Sequence, residues 1–156
     1  MATKTLHLQH SFNGELATVY ESIFDFRKFG ELHPYMVEVN ELSKTASNGI
    51  EYEVKEDTVL LGFLRMKPEY KAEVIEIEPL KHVRYVSNVK GGIVLVIDFR
   101  FTQAENPHRA VVSETIEVKG NRFLIAYFMT IVKKAHLQLF ANLANRLKKQ
   151  RVASKR

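Results

Sequence analysis

Residues 4–12 alternate, with Leu6, Leu8, His10 and Phe12 on one face and Thr5, His7, Gln9 and Ser11 on the other. That is the two-residue period of a half-buried strand. Asn13-Gly14 ends it. From Glu15 the apolar spacing changes to Leu16, Val19, Tyr20, Ile23 and Phe24, which predicts a helix of about three turns. A second short helix is predicted from Asp25 to His33, with Phe26, Phe29 and Leu32 apolar. Pro34 stops it, because the proline ring pushes His33 out of helical geometry.

After Pro34 the helical period disappears. Val37 and Val39 open a strand, and Ser47-Asn48-Gly49 signals a turn. Ile50, Tyr52 and Val54 then alternate with Glu51, Glu53 and Lys55. The next strand is predicted to run through Met66, Pro68, Tyr70, Ala72 and Val74, opposite a fully charged row from Arg65 to Glu73. Such a strand belongs to a sheet wet on one side and covered on the other. Pro68 argues for an edge or a bulge. The parity flips at Ile75 and Ile77, and a bulge near residues 74–75 would return these side chains to the inner face. Past Pro79-Leu80-Lys81, the inner row is Val83, Tyr85, Ser87 and Val89. Gly91-Gly92 makes a tight hairpin connection. The following rows are Ile93, Leu95, Ile97, Phe99 and Phe101, then Ala110, Val112, Glu114, Ile116 and Val118. Short connections imply antiparallel neighbours.

The last element is the longest. Asn121 is placed as an N-cap, and a helix is predicted from there to about Gln150. Leu124, Ile125, Phe128, Met129, Ile131, Val132, Ala135, Leu139, Phe140, Leu143 and Leu147 fall on one side of it, with Leu137 breaking the pattern. Lys133 and Lys134 fall on the other side, and such charges within the helix argue against a membrane span. So wide a stripe needs a large covering surface, and a curved sheet supplies one.

Composition adds limits. At 156 residues, 46% hydrophobic and 26% charged, the chain fits one ordinary globular domain. It has no Cys, which excludes disulfides, thiolate chemistry and cysteine zinc sites. The formal net charge of +5 is a property of the C-terminus, since Arg146, Lys148, Lys149, Arg151, Lys155 and Arg156 exceed it by themselves. The expected division is a domain over 1–150 and a basic tail over 151–156. A solvated tail and a tail that contacts an acidic surface are both open, and no specific nucleic-acid partner is expected. The N-terminus reads as a strand with no signal peptide, so a cytoplasmic location is expected.

The order of elements resembles the START-like, or helix-grip, superfamily, which includes the Bet v 1-type proteins, polyketide cyclase/dehydrase-like proteins and lipid-transfer domains. Two stretches carry the resemblance. One is Phe12-Asn13-Gly14-Glu15 leading into Val19-Tyr20-Glu21-Ser22-Ile23-Phe24-Asp25, and the other is Phe29-Gly30-Glu31-Leu32-His33-Pro34. The family's usual Trp in the second stretch is missing, because the chain has no Trp. The resemblance implies an α+β helix-grip fold. A seven-stranded curved antiparallel sheet would wrap a long C-terminal helix, with two short helices after the first strand and a cavity between sheet and helix. It implies no particular reaction.

Strand parity then nominates ligand-binding residues: Tyr52, Tyr70, Tyr85, Leu95, Ile97, Phe99, Val112 and Glu114 from the sheet. Val54, Val74 and Ile116 share those rows. Phe128, Ile131, Val132 and Ala135 would face them from the helix, with Leu124 beside them, and Phe29, Leu32 and Tyr35 would sit near one end. The same residues could simply fill a core. Glu114 is the one acid in an apolar inner row and is the candidate catalytic group, although an ion pair with a nearby Arg or Lys, or a local parity slip that exposes it, would also explain it. His10 and His136 are placed in the core or at the rim. The six His residues show no metal-ligand spacing, and there is no nucleophile motif or phosphate loop, so neither a metal nor another cofactor is expected. The apolar run Val59-Leu60-Leu61-Gly62-Phe63-Leu64 reads as a strand extension, or else as an exposed lip for a homodimer or a membrane. Three functions stay open: a carrier of a lipid-like or aromatic small molecule, a cyclase- or dehydrase-like enzyme using Glu114 and an inward Tyr, and a module that binds a ribosome, membrane or protein.

Overall fold

A computed structural model describes residues 1–155. The chain folds as β1 (Ala2–Asn13), α1 (Leu16–Phe24), α2 (Phe26–Leu32), β2 (Met36–Lys44), β3 (Ile50–Glu56), β4 (Thr58–Leu60), β5 (Leu64–Met66), β6 (Glu69–Glu78), β7 (His82–Val89), β8 (Ile93–Gln103), β9 (Arg109–Gly120) and α3 (Arg122–Ser154). Seven strands make one antiparallel sheet in the order β1-β9-β8-β7-β6-β3-β2. The first strand therefore sits beside the last, with Leu6 opposite Ile116.

Alternation decides which face of each strand is covered. Tyr52 and Val54, Val83 and Tyr85, Ile97 and Phe99, and Val112 and Ile116 are all buried, and α3 lies over that face. Asn121 caps α3, its Oδ1 accepting from the N–H groups of Phe123 (3.0 Å) and Leu124 (3.4 Å). The buried stripe of α3 is Ile125, Met129, Val132, Ala135, His136, Leu139, Phe140, Leu143 and Leu147. Among the described residues α3 is the one helix long and apolar enough to cross a membrane, and here it is the core helix of the fold.

Several expectations are corrected. Leu124 is exposed, because the stripe begins at Ile125 and Leu124 turns outward toward the β7–β8 connection at Gly91. The helix runs on past Gln150 to Ser154, and Arg156 lies outside the described residues. The strand through Met66 and Pro68 is two elements: β6 starts at Glu69, and Leu64–Met66 belongs to a separate hairpin with β4. Proline lacks the N–H that a ladder needs, so Pro68 marks the break. The register shift in β6 falls between Glu76 and Glu78 rather than at residues 74–75. The inner row accordingly continues through Glu76, whose carboxylate accepts a hydrogen bond from Tyr20 of α1, and Ile77 is exposed. The 59–64 run does not extend a sheet strand. It forms most of the β4–β5 hairpin, which exposes Val59, Leu61, Phe63 and Leu64.

Candidate functional site

The inner face of the sheet is not covered evenly. α3 packs closely on β1 and β9, while α2 fills the space over β3 with Phe26 against Tyr52, ring centroids 5.2 Å apart. Between α3 and strands β6, β7 and β8 a cavity of about 490 Å³ remains. Its wall is mostly apolar. Tyr70, Tyr85, Leu95, Ile97, Phe128, Ile131, Val132 and Ala135 border it, as do Phe29 and Tyr35 at the α2 end. Tyr52, Phe99, Val112 and Glu114 do not. Tyr52 lies under Phe26, and the other three lie where α3 rests directly on the sheet.

Polar groups also reach the cavity, from residues that strand parity did not nominate for binding. His33, Glu56, Thr58, Ser87 and His136 border it. Glu56 was detectable in principle, since it shares the parity of Tyr52 and Val54. His33 precedes the proline that ends α2, and its ring Nδ1 accepts the Tyr35 N–H at 3.1 Å. Burial, with His136 nearby, lowers the His33 pKa from 6.5 to about 3, so the ring is neutral at ordinary pH. Tyr70 donates its hydroxyl proton to Glu56 Oε2. Burial raises the Glu56 pKa, and the Tyr70 hydrogen bond and the nearby His136 offset only part of that. The hydroxyl of Tyr85 is committed to the backbone, donating to the Ile23 carbonyl.

Glu114 stands one layer behind the wall. Its Oε1 contacts His136 Nδ1, and its Oε2 lies 3.5 Å from His10 Nε2. His10 itself stacks on Phe140 with ring centroids 3.8 Å apart. Burial pushes the Glu114 pKa up, but the two imidazoles together more than offset it, and the net direction is downward. The carboxylate is thus held between two imidazoles, and among the described residues no Lys or Arg takes part. The contacts are close but poorly aligned. Glu114 Oε1 and Oε2, His10 Nε2 and His136 Nδ1 are all buried without a well-directed hydrogen bond. The outcome is a carboxylate that does not touch the cavity and an imidazole, His136, that touches both.

This architecture recurs among solved structures at very low sequence identity. The aromatase/cyclase Zhui from Streptomyces sp. R1128 superposes with a TM-score of 0.74 at 8% identity, covering 96% of each chain. Ara h 8.0201, a Bet v 1 allergen, gives 0.73 at 11% identity, covering 95% of this chain and 99% of that one. A START superfamily protein from Mycobacterium smegmatis gives 0.69 at 9% identity, covering 94% and 98%. The chain has the START/Bet v 1-like helix-grip fold. No protein-family model and no curated protein sequence matches it. Identities this low carry the helix-grip architecture and nothing about residue roles. In helix-grip terms, α3 is the gripped helix and the cavity is the space that β6, β7 and β8 leave beneath it.

Proposed function

We propose that the protein binds a hydrophobic small molecule, lipid-like or aromatic, in the space between β6–β8 and α3. The observation that carries this reading is the cavity of about 490 Å³, walled largely by apolar and aromatic side chains. A concave apolar pocket with a few polar groups is the usual form of a small-molecule site. Leu95, Ile97, Phe128, Ile131, Val132 and Ala135 would supply the apolar contact, with Tyr70 as a polar contact. At a coarse level the neighbours, which include Bet v 1 and START proteins, agree with it. The test is mass spectrometry of protein purified from its own kind of cell, first under native conditions and then denatured. Release of a small molecule supports the reading. A bare chain that also takes up no hydrophobic probe refutes it.

A second reading, a cyclase- or dehydrase-like enzyme, draws on one specific observation: an imidazole at the cavity wall is backed by a buried carboxylate. That arrangement is a common way to orient a proton-transferring histidine. Here His136 would meet the substrate, Glu114 would hold and polarise it, and Tyr70 would be the inward tyrosine. Zhui, an aromatase/cyclase, has the same fold. With a candidate substrate in hand, unchanged turnover in Glu114→Gln would exclude this role.

A further inference from the structure

We propose that the end of the cavity at α2 and β2 is a binding site for a neutral hydroxyl group on an apolar ligand, a phenol, enol or alcohol, with His33 as hydrogen-bond donor and Glu56 as acceptor. The inference rests on the ligand-binding reading above and adds the chemistry of the ligand's polar end.

Local backbone structure brings the two side chains to one corner. Pro34 ends α2 and sends the chain into β2, where Met36 pairs with Glu56 of β3. The Asp57 N–H donates to the Tyr35 carbonyl at 2.8 Å, which closes the corner. His33 and Glu56 both border the cavity there, with Tyr70 and His136.

Hydrogen-bond accounting then fixes what each group can offer. The His33 ring uses Nδ1 to accept from Tyr35. A neutral imidazole that accepts at Nδ1 carries its proton on Nε2, so Nε2–H is a donor. It has no protein acceptor among the described residues. Glu56 uses Oε2 to accept from Tyr70, and Oε1 has no protein donor among the described residues. His33 Nε2–H and Glu56 Oε1 are thus left over on a mostly apolar wall, with the Thr58 hydroxyl on the same lining. A hydroxyl, which both accepts and donates, is the neutral group whose chemistry matches that pair.

The electrostatics select against an acidic head group. Among the described residues no buried, unpaired cation faces this corner. His33 is neutral, and any charge on His136 is matched by Glu114. Arg65 is held by Asp57 through two hydrogen bonds, of 2.9 and 2.6 Å. Lys67 and Lys90 border the cavity only as exposed side chains on its rim. A ligand carboxylate seated beside Glu56 would be desolvated without a counter-ion, which is strongly unfavourable. An apolar ligand end would leave the His33 and Glu56 groups unpaired, and sites built to hydrogen-bond a hydroxyl reject analogues that lack it.

The experiment compares three fluorescent probes with one four-ring body that is smaller than the cavity: pyrene, hydroxypyrene and pyrenecarboxylate. Each is titrated into the full chain near neutral pH. Hydroxypyrene is expected to bind about 10-fold more tightly than pyrene, with pyrenecarboxylate the weakest. His33→Phe and Glu56→Leu are each expected to bring hydroxypyrene down to the affinity of pyrene without weakening pyrene itself. Glu56→Gln keeps an acceptor oxygen and is expected to retain the preference, which guards against a variant that fails for structural reasons. Equal binding of pyrene and hydroxypyrene by the native chain would overturn this inference and leave the ligand-binding reading standing. Tightest binding of pyrenecarboxylate would overturn it in favour of an anion site at Lys67 and Lys90. Binding of none of the three would overturn both.

Discussion

His33→Asn isolates one acid-labile component of the fold. In the native protein burial, with His136 nearby, lowers the His33 pKa from 6.5 to about 3. The unfolded chain takes up a proton at His33 as the pH falls below 6.5, while the folded chain takes none until about 3. The folded pKa is the lower one, so stability is full above the unfolded value and is lost as the pH falls between the two. Each pH unit in that window costs about 1.4 kcal/mol, so at about pH 4.5 the loss is about 2.7 kcal/mol. This is an upper bound, because the ring borders the cavity, and water there would hydrate the charged form in part. Asn has nothing to protonate, and its Oδ1 takes the place of the ring Nδ1 that accepts the Tyr35 N–H. The assay is urea unfolding of both proteins at about pH 7 and about pH 4.5. Acid-labile groups common to both, Glu114 included, cancel in the comparison. The native protein should lose measurably more than the variant over that interval, by up to about 2.7 kcal/mol. Parallel losses would refute the reasoning, since they would mean that His33 titrates alike in both states.

Three further perturbations test other parts of the structure. Glu114→Gln removes the buried partner of His136 and His10 and should cost about 3 kcal/mol near neutral pH in urea titration. Because the folded pKa of Glu114 is depressed, that cost should fade as the pH drops below the ordinary carboxylate value of 4.5. Gly49→Ala places a Cβ 2.9 Å from the Val74 carbonyl oxygen, where the backbone of β6 cannot yield, and should lower stability by about 1–3 kcal/mol, read as a drop in Tm. Ala135→Leu puts extra side-chain volume into the cavity from a buried position on α3. It should cut uptake of pyrene by about 10-fold or more while Tm stays within a few degrees of the native value; retained uptake would place the bound probe elsewhere.

Much of the fold could be read from periodicity because its two periods are well separated. Leu6, Leu8, His10 and Phe12 recur at every second residue, while Leu139, Leu143 and Leu147 repeat every fourth. The Asn121 cap follows from a side chain whose oxygen reaches the free N–H groups of a first turn. The errors fall where pattern and packing part company. Met66 and Tyr70 share a parity, yet Pro68 separates them into different sheets. Val112 and Leu95 are both inward in their strands, but only Leu95 borders the cavity, because α3 rests on β9 and stands off the Leu95 end of β8. How closely a helix approaches a sheet is set by tertiary packing, and no one-dimensional pattern carries it. Glu114 stood out as an acid in an apolar row. Its partners did not, since His10 and His136 lie on elements whose sequence separation from Glu114 gives no hint of contact. Glu56 was hidden by its charged neighbours in β3, although its parity matched the inner row.

The pairing of β1 with β9 bears on how the molecule is made. Leu6 emerges from the ribosome early, yet its partner Ile116 follows only after nearly the whole sheet has been synthesised. Contacts so distant along the chain are slow to form, because the intervening loop must close before any bond rewards it. Until then β1 presents a free edge, and the apolar inner rows of β3, β6, β7 and β8 have no α3 to cover them. The cavity and the protection against self-association therefore arrive together, at the last stage of folding. A small molecule bound as proposed above would select the finished state and draw the chain toward it by mass action.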